Sequence, residues 1–390
     1  MKIVHITPSY KPAFIYGGPI QSVGKLCEVL VKAISSDDDT LEVLTTTANG
    51  KQELDVEAAK QQIVDGVPVT YFKRLTKDHS HFSPALLLGL KNLIRRSGQN
   101  KMVIHIHAWW NLVSVLSCAL AKLYQIPVIL SPRGMLTSYT QTNRNSLAKK
   151  IIHQTIGKKL LRYCHIHATS EQEKQEILAI VKPRSITVIP NLVSFPDEAP
   201  QKAEKNTNTA FKLIFLSRIE EKKGLDLLFE ALAITDFDWE LTIAGTGNTN
   251  YIDTLKLKAQ NLNLTTRIKW LGQVANEAKF NLLADHDLCV LTSYNENFAN
   301  VIIESLSVGT AVLVSDKVGL ANYVKDRDLG WITPLEVQQI ALTLQKAAHN
   351  RWKLNQIGTT AAAAIRTDFS DQKLVHDYLN LYHNQGNFSE

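Results

Sequence analysis

Short apolar segments of strand length alternate with helix-length segments along this chain, in two series separated by a polar stretch. The first series comprises Ile3–Ile6, Leu41–Leu44, Val67–Phe72, Val103–Ile106, Val128–Leu130, His165–Ala168 and Thr187–Ile189. The second comprises Leu213–Leu216, Glu240–Ala244, Arg267–Trp270, Leu288–Leu291 and Ala311–Val314. Strands that alternate with helices in this way favour parallel sheets covered by helices, so the pattern predicts an α/β fold.

The stretch from Ser194 to Ala210 separates the two series and has the composition of a linker, with two prolines and few apolar residues. A chain of 390 residues also exceeds the size of a typical single core. We therefore predict two Rossmann-like, doubly wound parallel-sheet domains facing a cleft, over residues 1–195 and 196–369. A final helix over 370–390 is expected to pack back on the first domain. In open sheets of this kind ligands bind at the carboxyl ends of the strands.

Composition places the chain among soluble globular proteins, with 45% hydrophobic and 21% charged residues. No signal peptide and no run of about 18 apolar residues is visible, so we expect a cytoplasmic location. The four cysteines are scattered through apolar segments, which favours reduced, buried thiols over a disulfide or a zinc site.

The region from Lys101 to Ser170 contains no Asp or Glu, although the net charge of the whole chain is only +6. Within it, residues 144–162 combine lysines and arginines with apolar residues at helical spacing. Such a basic amphipathic helix could lie on an anionic membrane, at the inner face of the cytoplasmic membrane. The alternative is an ordinary surface helix whose apolar stripe faces the core. We expect no nucleic-acid partner.

Two glutamates, Glu296 and Glu304, lie between a strand-like segment and an apolar helical segment. The strand is Leu288–Leu291, and the helical spacing runs from about Phe298 to Ser307. Free amides and the dipole at a helix start favour an anion such as a diphosphate. One carboxylate could then bind a ribose and the other a sugar. A helix cap plus a surface glutamate is the alternative interpretation.

A basic loop follows the first strand of the second series, with Arg218 and Lys223 just before Gly224. These two cations could jointly neutralise phosphates, although a solvated surface pair is the ordinary interpretation. Because carboxyl ends of parallel strands share one edge of a sheet, we expect them to converge with the helix start near Asn300.

Gly17 and Gly18 precede a helix in the first domain and would permit close approach of the backbone to a ligand. They do not fit the dinucleotide fingerprint, so a nicotinamide cofactor is poorly supported. The aspartate pairs at 37–39, 285–287 and 326–328 are interpreted as solvated or capping residues. No metal and no other cofactor is expected.

These motifs resemble those of glycosyltransferase family 4, whose retaining enzymes have the two-domain GT-B fold. The resemblance rests on Glu296 to Glu304 as an E-x7-E signature, on the basic loop from Ser217 to Gly224, and on Gly17-Gly18. The segments His105 to Trp110, Ser131 to Leu136 and His167 to Ser170 are most similar to those of bacterial exopolysaccharide and O-antigen enzymes. The resemblance implies sugar transfer from a nucleotide diphosphate sugar.

The resemblance also assigns roles within the donor site. Glu304 would bind the ribose and Glu296 the donor sugar, while Arg218 and Lys223 would stabilise the leaving diphosphate. Backbone amides would contact the sugar hydroxyls and the diphosphate, and Gly17 and Gly18 would also face the donor. The amides of Phe298 and Ala299 would contact the sugar hydroxyls, and those of Asn300 and Val301 would contact the diphosphate.

The acceptor side departs from the family pattern. Many members have a histidine where this chain has Arg133, which implies an acceptor site built around a cation, as a phosphate-bearing acceptor would favour. His107, at the end of another strand, is the nearest candidate polar group, and a packed core histidine is its alternative interpretation.

We therefore expect a metal-independent hexosyltransferase that uses a UDP-sugar, most simply UDP-glucose. The acceptor would be a growing saccharide or one linked to polyprenyl diphosphate, in the synthesis of exopolysaccharide or another cell-envelope polysaccharide. Two alternatives stay open: a nucleotide-sugar epimerase of the same fold, and a non-catalytic nucleotide-sugar-binding component of a polysaccharide assembly complex.

Overall fold

A computed structural model describes residues 1–34, 39–97, 102–137, 156–196, 200 and 210–386. The chain forms two compact units. The first comprises Met1–Leu192 and Asp371–Glu390, and the second comprises Val193–Ser370. Each unit is built around its own parallel sheet, and each is described below by itself.

The first unit contains ten strands and six helices among its described residues. The strands are β1 Lys2–Ile6, β2 Thr40–Thr46, β3 Ala48–Asn49, β4 Gln52–Glu53, β5 Gln61–Val64, β6 Val67–Phe72, β7 Met102–His107, β8 Val128–Ser131, β9 His165–Ala168 and β10 Ser185–Val188. The helices are α1 Gly18–Ala33, α2 Pro84–Ser97, α3 Leu112–Leu123, α4 Lys158–Tyr163, α5 Glu171–Ile180 and, at the C-terminal end, α13 Asp371–Gly386.

The main sheet of the first unit has eight strands in the order β10-β9-β8-β7-β1-β2-β6-β5. All pairs are parallel except the edge hairpin β5–β6, which was not predicted. The strand order reverses between β1 and β7, the position at which doubly wound sheets open a crevice. Apolar residues of β1 and β7 pack with α2 and α3 on one face. The other face carries His5, His105 and His107 and contacts tyrosines of α13.

The second unit contains six strands and seven helices among its described residues. The strands are β11 Phe211–Leu216, β12 Trp239–Ala244, β13 Ile268–Gly272, β14 Leu288–Leu291, β15 Ala311–Ser315 and β16 Gly330–Thr333. The helices are α6 Leu225–Ala233, α7 Thr249–Asn261, α8 Asn276–Ala284, α9 Asn300–Ser307, α10 Ala321–Asp326, α11 Val337–His349 and α12 Arg351–Asp368.

The second sheet is entirely parallel, in the order β13-β12-β11-β14-β15-β16. Its reversal of order lies between β11 and β14, so the loops that follow these two strands border the crevice. The predicted α/β class with two Rossmann-like domains is confirmed. Strand β16 was not predicted, and the strand expected at Arg267–Trp270 runs instead over Ile268–Gly272.

The basic region 144–162 lies largely outside the described residues, which resume at 156 and include α4. The described part of the chain has no helix that combines the length and apolar character needed to cross a membrane.

Candidate active site

The loop after β11 places Lys223 at the reversal point of the second sheet. Residues Glu221–Lys223 form one turn of 3-10 helix, and Gly224 follows with a φ of 68°. A Cβ at Gly224 would lie 2.0 Å from the carbonyl oxygen of Thr292, which follows β14. The Thr292 hydroxyl in turn donates to the Gly224 carbonyl at 2.9 Å. Only glycine permits this contact, which holds the loop after β11 against the end of β14.

Lys223 and Glu296 form an ion pair between these two loops. The two side chains are 8% and 17% exposed, respectively. Burial opposes ionisation of Glu296, but the ammonium groups of Lys223 and Lys222 outweigh it and hold the pKa of this carboxyl below its ordinary value. The pair is therefore charged and poorly solvated, and an incoming anion would compete with Glu296 for Lys223.

The backbone of Glu296 is fixed by the loop that follows β15. Its N–H donates to the Lys317 carbonyl at 3.1 Å, and its carbonyl accepts from Gly319 at 2.7 Å. These bonds hold the carboxylate at the strand ends independently of Lys223.

Arg218 lies beside this pair but contacts a different carboxylate. Its Nη1 donates to Glu220 at 2.6 Å, and the Arg218 side chain is 42% exposed. Arg218 also contributes to the lowered pKa of Glu296, so its charge reaches the site without a direct contact. The structure thus brings Arg218, Lys223 and Glu296 to one edge of the sheet.

Helix α9 begins at Asn300, two residues later than the start expected near Phe298. Phe298 instead packs its ring against Phe369, with 6.1 Å between centroids, and is buried. Ala299 precedes the helix with a φ of 62°, and no side chain caps the helix start. A positive φ is unfavourable for alanine, so the surrounding structure imposes this turn. Consecutive amides in such a turn form an anion-binding concavity.

The same arrangement occurs at two further helix starts. Gly17 before α1 and Gly224 before α6 have φ values of 70° and 68°, and neither helix has a side-chain cap. By contrast, Asn111, Ser170 and Asn248 cap α3, α5 and α7 through their side chains. All three turns with a positive φ follow strands that border a reversal point, and all three coincide with predicted ligand-binding loops.

Glu304 projects from the second turn of α9 and is paired with Lys279 of α8 at 2.7 Å. Both side chains are buried, with exposed fractions of 7% and 9%, respectively. The sequence prediction missed Lys279, because nothing in its local spacing indicates a partner on the next helix. The ion pair holds the Glu304 carboxylate beneath the helix start.

Gly17 and Gly18 lie in the first unit, where the chain leaves β1 and enters α1. The φ of 70° requires the flexibility of Gly17. A Cβ on Gly18 would meet no heavy atom within 4 Å outside its two chain neighbours and its own helix. Packing against the rest of the protein therefore gives no reason for a glycine at position 18.

Arg133 and His107 lie together at the strand ends of the first sheet. Arg133 is partly exposed and donates from Nε to His107 Nδ1 at 3.3 Å. His107 is only 1% exposed, so it meets Arg133 rather than solvent. Any influence of His107 on a ligand would therefore pass through Arg133.

Three of the aspartates considered as metal ligands contact other protein groups. Asp39 pairs with the N-terminal ammonium at 2.7 Å, and Asp328 pairs with Lys353. Asp287 accepts from the Lys212 backbone at 2.9 Å.

The second unit thus combines a reversal point, a lysine–glutamate pair and an uncapped helix start, an arrangement that suits an anionic ligand with attached hydroxyl groups. Two family models match consecutive parts of the chain. The model described as Glycosyltransferase Family 4 matches residues 23–195, and that described as Glycosyl transferases group 1 matches residues 197–364. The fold and these matches define the class of the protein as a GT-B glycosyltransferase. The chain belongs to glycosyltransferase family 4.

Curated and solved relatives match almost the full length. The chain is 24% identical to the GDP-mannose:cellobiosyl-diphosphopolyprenol alpha-mannosyltransferase of Xanthomonas campestris, over 98% of this chain and 97% of that protein. Sucrose-phosphate synthase from Thermosynechococcus elongatus superposes with a TM-score of 0.76 at 17% identity, covering 98% of this chain and 99% of that one. Anabaena HepE in complex with UDP-glucose superposes with a TM-score of 0.73 at 18% identity, covering 98% and 100%, respectively.

Proposed function

We propose that this protein is a retaining hexosyltransferase that takes its sugar from UDP-glucose without a metal ion. The observation that carries the proposal is the Lys223–Glu296 ion pair at the reversal point between β11 and β14. It offers a cation for a diphosphate and a carboxylate for sugar hydroxyls within one contact. The complex of HepE with UDP-glucose supports the choice of donor, while the Xanthomonas relative makes GDP-mannose the first competitor to test.

In this proposal the donor diphosphate displaces Glu296 from Lys223. Lys223 and Arg218 then neutralise the phosphates, and Glu296 accepts hydrogen bonds from the sugar. Glu304 binds the ribose, while the amides of Phe298 and Ala299 contact the sugar and those of Asn300 and Val301 the diphosphate. That Gly17 and Gly18 contact the donor stays a prediction.

The proposed reaction breaks the bond between the anomeric carbon and the diphosphate oxygen. The acceptor hydroxyl forms its new bond on the same face of the sugar, and its proton passes to the departing diphosphate. Lys223 and Arg218 stabilise the charge that develops on that oxygen. Each preorganised hydrogen-bond donor of this kind contributes about 10²- to 10³-fold to the rate.

The proposed acceptor is a saccharide, either growing or linked to polyprenyl diphosphate, in the synthesis of exopolysaccharide or another envelope polysaccharide. The Xanthomonas relative supports this class, because its name specifies a diphosphopolyprenol acceptor. A peripheral position at the inner membrane face, through the basic region 144–162, stays a prediction. Sedimentation with anionic vesicles at low salt tests it, and absence of binding would remove it.

The function is tested by incubating the full chain with UDP-glucose or GDP-mannose and a panel of acceptors, followed by NMR of the product. We expect an alpha-linked product from UDP-glucose. A beta-linked product would contradict retention, and exclusive use of GDP-mannose would contradict the donor. Epimerised donor without transfer would favour the epimerase alternative, and tight donor binding without any turnover would favour the non-catalytic one.

A further inference from the structure

Arg133 is held in place by three neutral groups at the strand ends of the first sheet. Its Nη1 donates to Ser22 at 2.9 Å and to Asn191 at 3.0 Å, while Nε donates to His107 Nδ1 at 3.3 Å. Its φ of 52° is unfavourable for a residue with a side chain. The fold therefore fixes this guanidinium by contacts that supply no negative charge.

A chain of hydrogen bonds runs from Arg133 into the core and determines the tautomer of each histidine. Arginine can only donate, so His107 accepts at Nδ1 and donates from Nε2 to His5 Nδ1 at 2.9 Å. His5 then donates to the Tyr382 hydroxyl at 3.5 Å, and Tyr382 donates to His105 Nδ1 at 2.9 Å. The chain continues with 2.6 Å bonds from His105 to Ser131 and from Ser131 to His167, and ends with a 2.8 Å bond to a carbonyl, that of Ile189.

This order of donors leaves the histidines neutral. Burial, with a contribution from the Arg133 charge, lowers the pKa of His5 to about 3, and that of His107 lies well below its ordinary value for the same reasons. His5, His105 and His107 offer nitrogens within 4.8 Å of one another, a spacing that suits a metal ion. Both ring nitrogens of each histidine already have a hydrogen-bond partner, so we assign the cluster to positioning Arg133 rather than to a metal.

The guanidinium also has no carboxylate counterpart in the described ranges, where no Asp or Glu oxygen lies within 4.0 Å of it. The charge of Glu173 influences the pKa of Arg133, but the Glu173 oxygens accept from the N–H groups of Gly134 and Thr169 at 2.7 Å each. Burial disfavours the charged form of Arg133 and lowers its pKa from the ordinary value. A poorly solvated cation without a counterion is stabilised when an anion binds.

We propose that Arg133 forms an anion subsite for a phosphate or diphosphate group carried by the acceptor. This inference rests on the proposed transferase function. Arg133 Nη2 makes no hydrogen bond within the described part of the protein, and the side chain is partly exposed, so an incoming phosphate meets an available donor beside the fixed charge. His107, Ser22 and Asn191 are positioning residues that hold the guanidinium at the edge of the sheet.

The subsite is tested by calorimetric titration of the full chain with inorganic pyrophosphate. We expect two independent sites in the wild type, of which UDP displaces pyrophosphate from one. Arg133→Gln is expected to lose the site from which UDP does not displace pyrophosphate, with at least a tenfold fall in affinity for pyrophosphate there. Retention of both sites in Arg133→Gln would overturn the inference. Lys223→Gln tests the donor site separately, because this variant should lose only the site from which UDP displaces pyrophosphate.

A second variant guards against misfolding of Arg133→Gln. Asn191→Asp keeps Arg133 but places a carboxylate at the oxygen that now lies 3.0 Å from Nη1. It should weaken pyrophosphate binding at the subsite at least tenfold and leave UDP binding unchanged. Unchanged pyrophosphate binding in a folded Asn191→Asp protein would also overturn the inference.

Two soluble probes then distinguish the source of the phosphate. Geranyl diphosphate represents a prenyl-linked acceptor, and glucose 6-phosphate represents a sugar phosphate; both are titrated in the presence of saturating UDP. Binding of either probe that depends on Arg133 supports the subsite and identifies the source. Absence of such binding for both would overturn its assignment to the acceptor.

Discussion

Lys223 and Glu296 contact each other although they lie on separate loops and are 73 positions apart in the chain. Their contact depends on strand order, because β11 and β14 are neighbours in the second sheet. Each side chain therefore has a partner that a bound donor would have to replace.

Replacing Glu296 by Gln should separate sugar binding from nucleotide binding. The change removes a proposed partner of the sugar hydroxyls and also frees Lys223 from its ion pair. We expect affinity for UDP-glucose to fall about tenfold or more, whereas affinity for UDP should stay equal or rise. Parallel calorimetric titrations measure the affinities for UDP-glucose and for UDP. An equal loss for UDP and UDP-glucose would contradict the assignment of Glu296 to the sugar.

Lys279 and Glu304 should show strong thermodynamic coupling. Removing one partner leaves a buried charge without compensation and should cost about 3–5 kcal/mol in the free energy of unfolding. The double variant Lys279→Met, Glu304→Leu should recover most of that loss. Urea unfolding of both single variants and the double variant measures the coupling.

The same double variant tests the ligand role of Glu304. If Glu304 binds the ribose, a double variant with restored stability should still bind UDP at least tenfold more weakly than the wild type. Wild-type affinity for UDP in that variant would mean that Glu304 has only a structural role.

Gly18→Ala should affect ligand binding without affecting folding. A Cβ at this position meets no heavy atom within 4 Å outside its two chain neighbours and its own helix, so only the adjacent Pro19 crowds it. We expect a melting temperature close to that of the wild type, together with a fall in kcat/KM of about tenfold. A stable Gly18→Ala enzyme with unchanged kcat/KM would mean that the donor does not approach Gly18.

Stability should fall as pH drops below about 6.5, because the core histidines are buried in neutral form. Burial lowers the pKa of His5 and His167 to about 3, so the unfolded chain binds protons that the folded chain does not. Stability is therefore complete above the ordinary histidine pKa and is lost progressively below it. Each such histidine should cost about 1 kcal/mol between pH 7 and pH 5.5.

Urea unfolding across this pH range, with His167→Gln compared against the exposed His79→Gln, measures the effect. His167→Gln should reduce the pH dependence by about one proton, a larger reduction than in the exposed control His79→Gln. Identical pH dependence in wild type and His167→Gln would contradict the neutral, buried network.

Periodicity was sufficient to predict the α/β class, since β14 is a continuous buried apolar run of strand length. It was insufficient for β16, which begins with Gly330, a residue type that is depleted in strands. The start of α9 was placed two residues early, because Phe298 fits the apolar spacing of the helix but packs against Phe369 instead. The apolar spacing alone does not distinguish a Phe298 ring buried as part of the helix from one buried against Phe369 before the helix begins.

The candidate site was predictable where a motif lies on one loop and was missed where two elements meet. Lys223 and Glu296 were expected at one edge of the sheet, but their ion pair follows from tertiary geometry alone. Lys279 gave no signal of any kind. The histidine network did leave a signal in the sequence, because His-Ile-His occurs at 105–107 and again at 165–167. Alternate residues of a strand share one face, so the two histidines of each motif lie on the same side of the sheet. Its connection to Arg133 required the structure.

The central claim is that Lys223 binds the donor diphosphate, and calorimetric titration of UDP-glucose tests it most directly. The wild type, Lys223→Ala and the neighbouring Lys222→Ala variant are compared at the same salt concentration. We predict one binding site in the wild type, an affinity at least about 100-fold lower in Lys223→Ala, and a change below tenfold in Lys222→Ala. Equal affinity for UDP-glucose in wild type and Lys223→Ala would contradict the account.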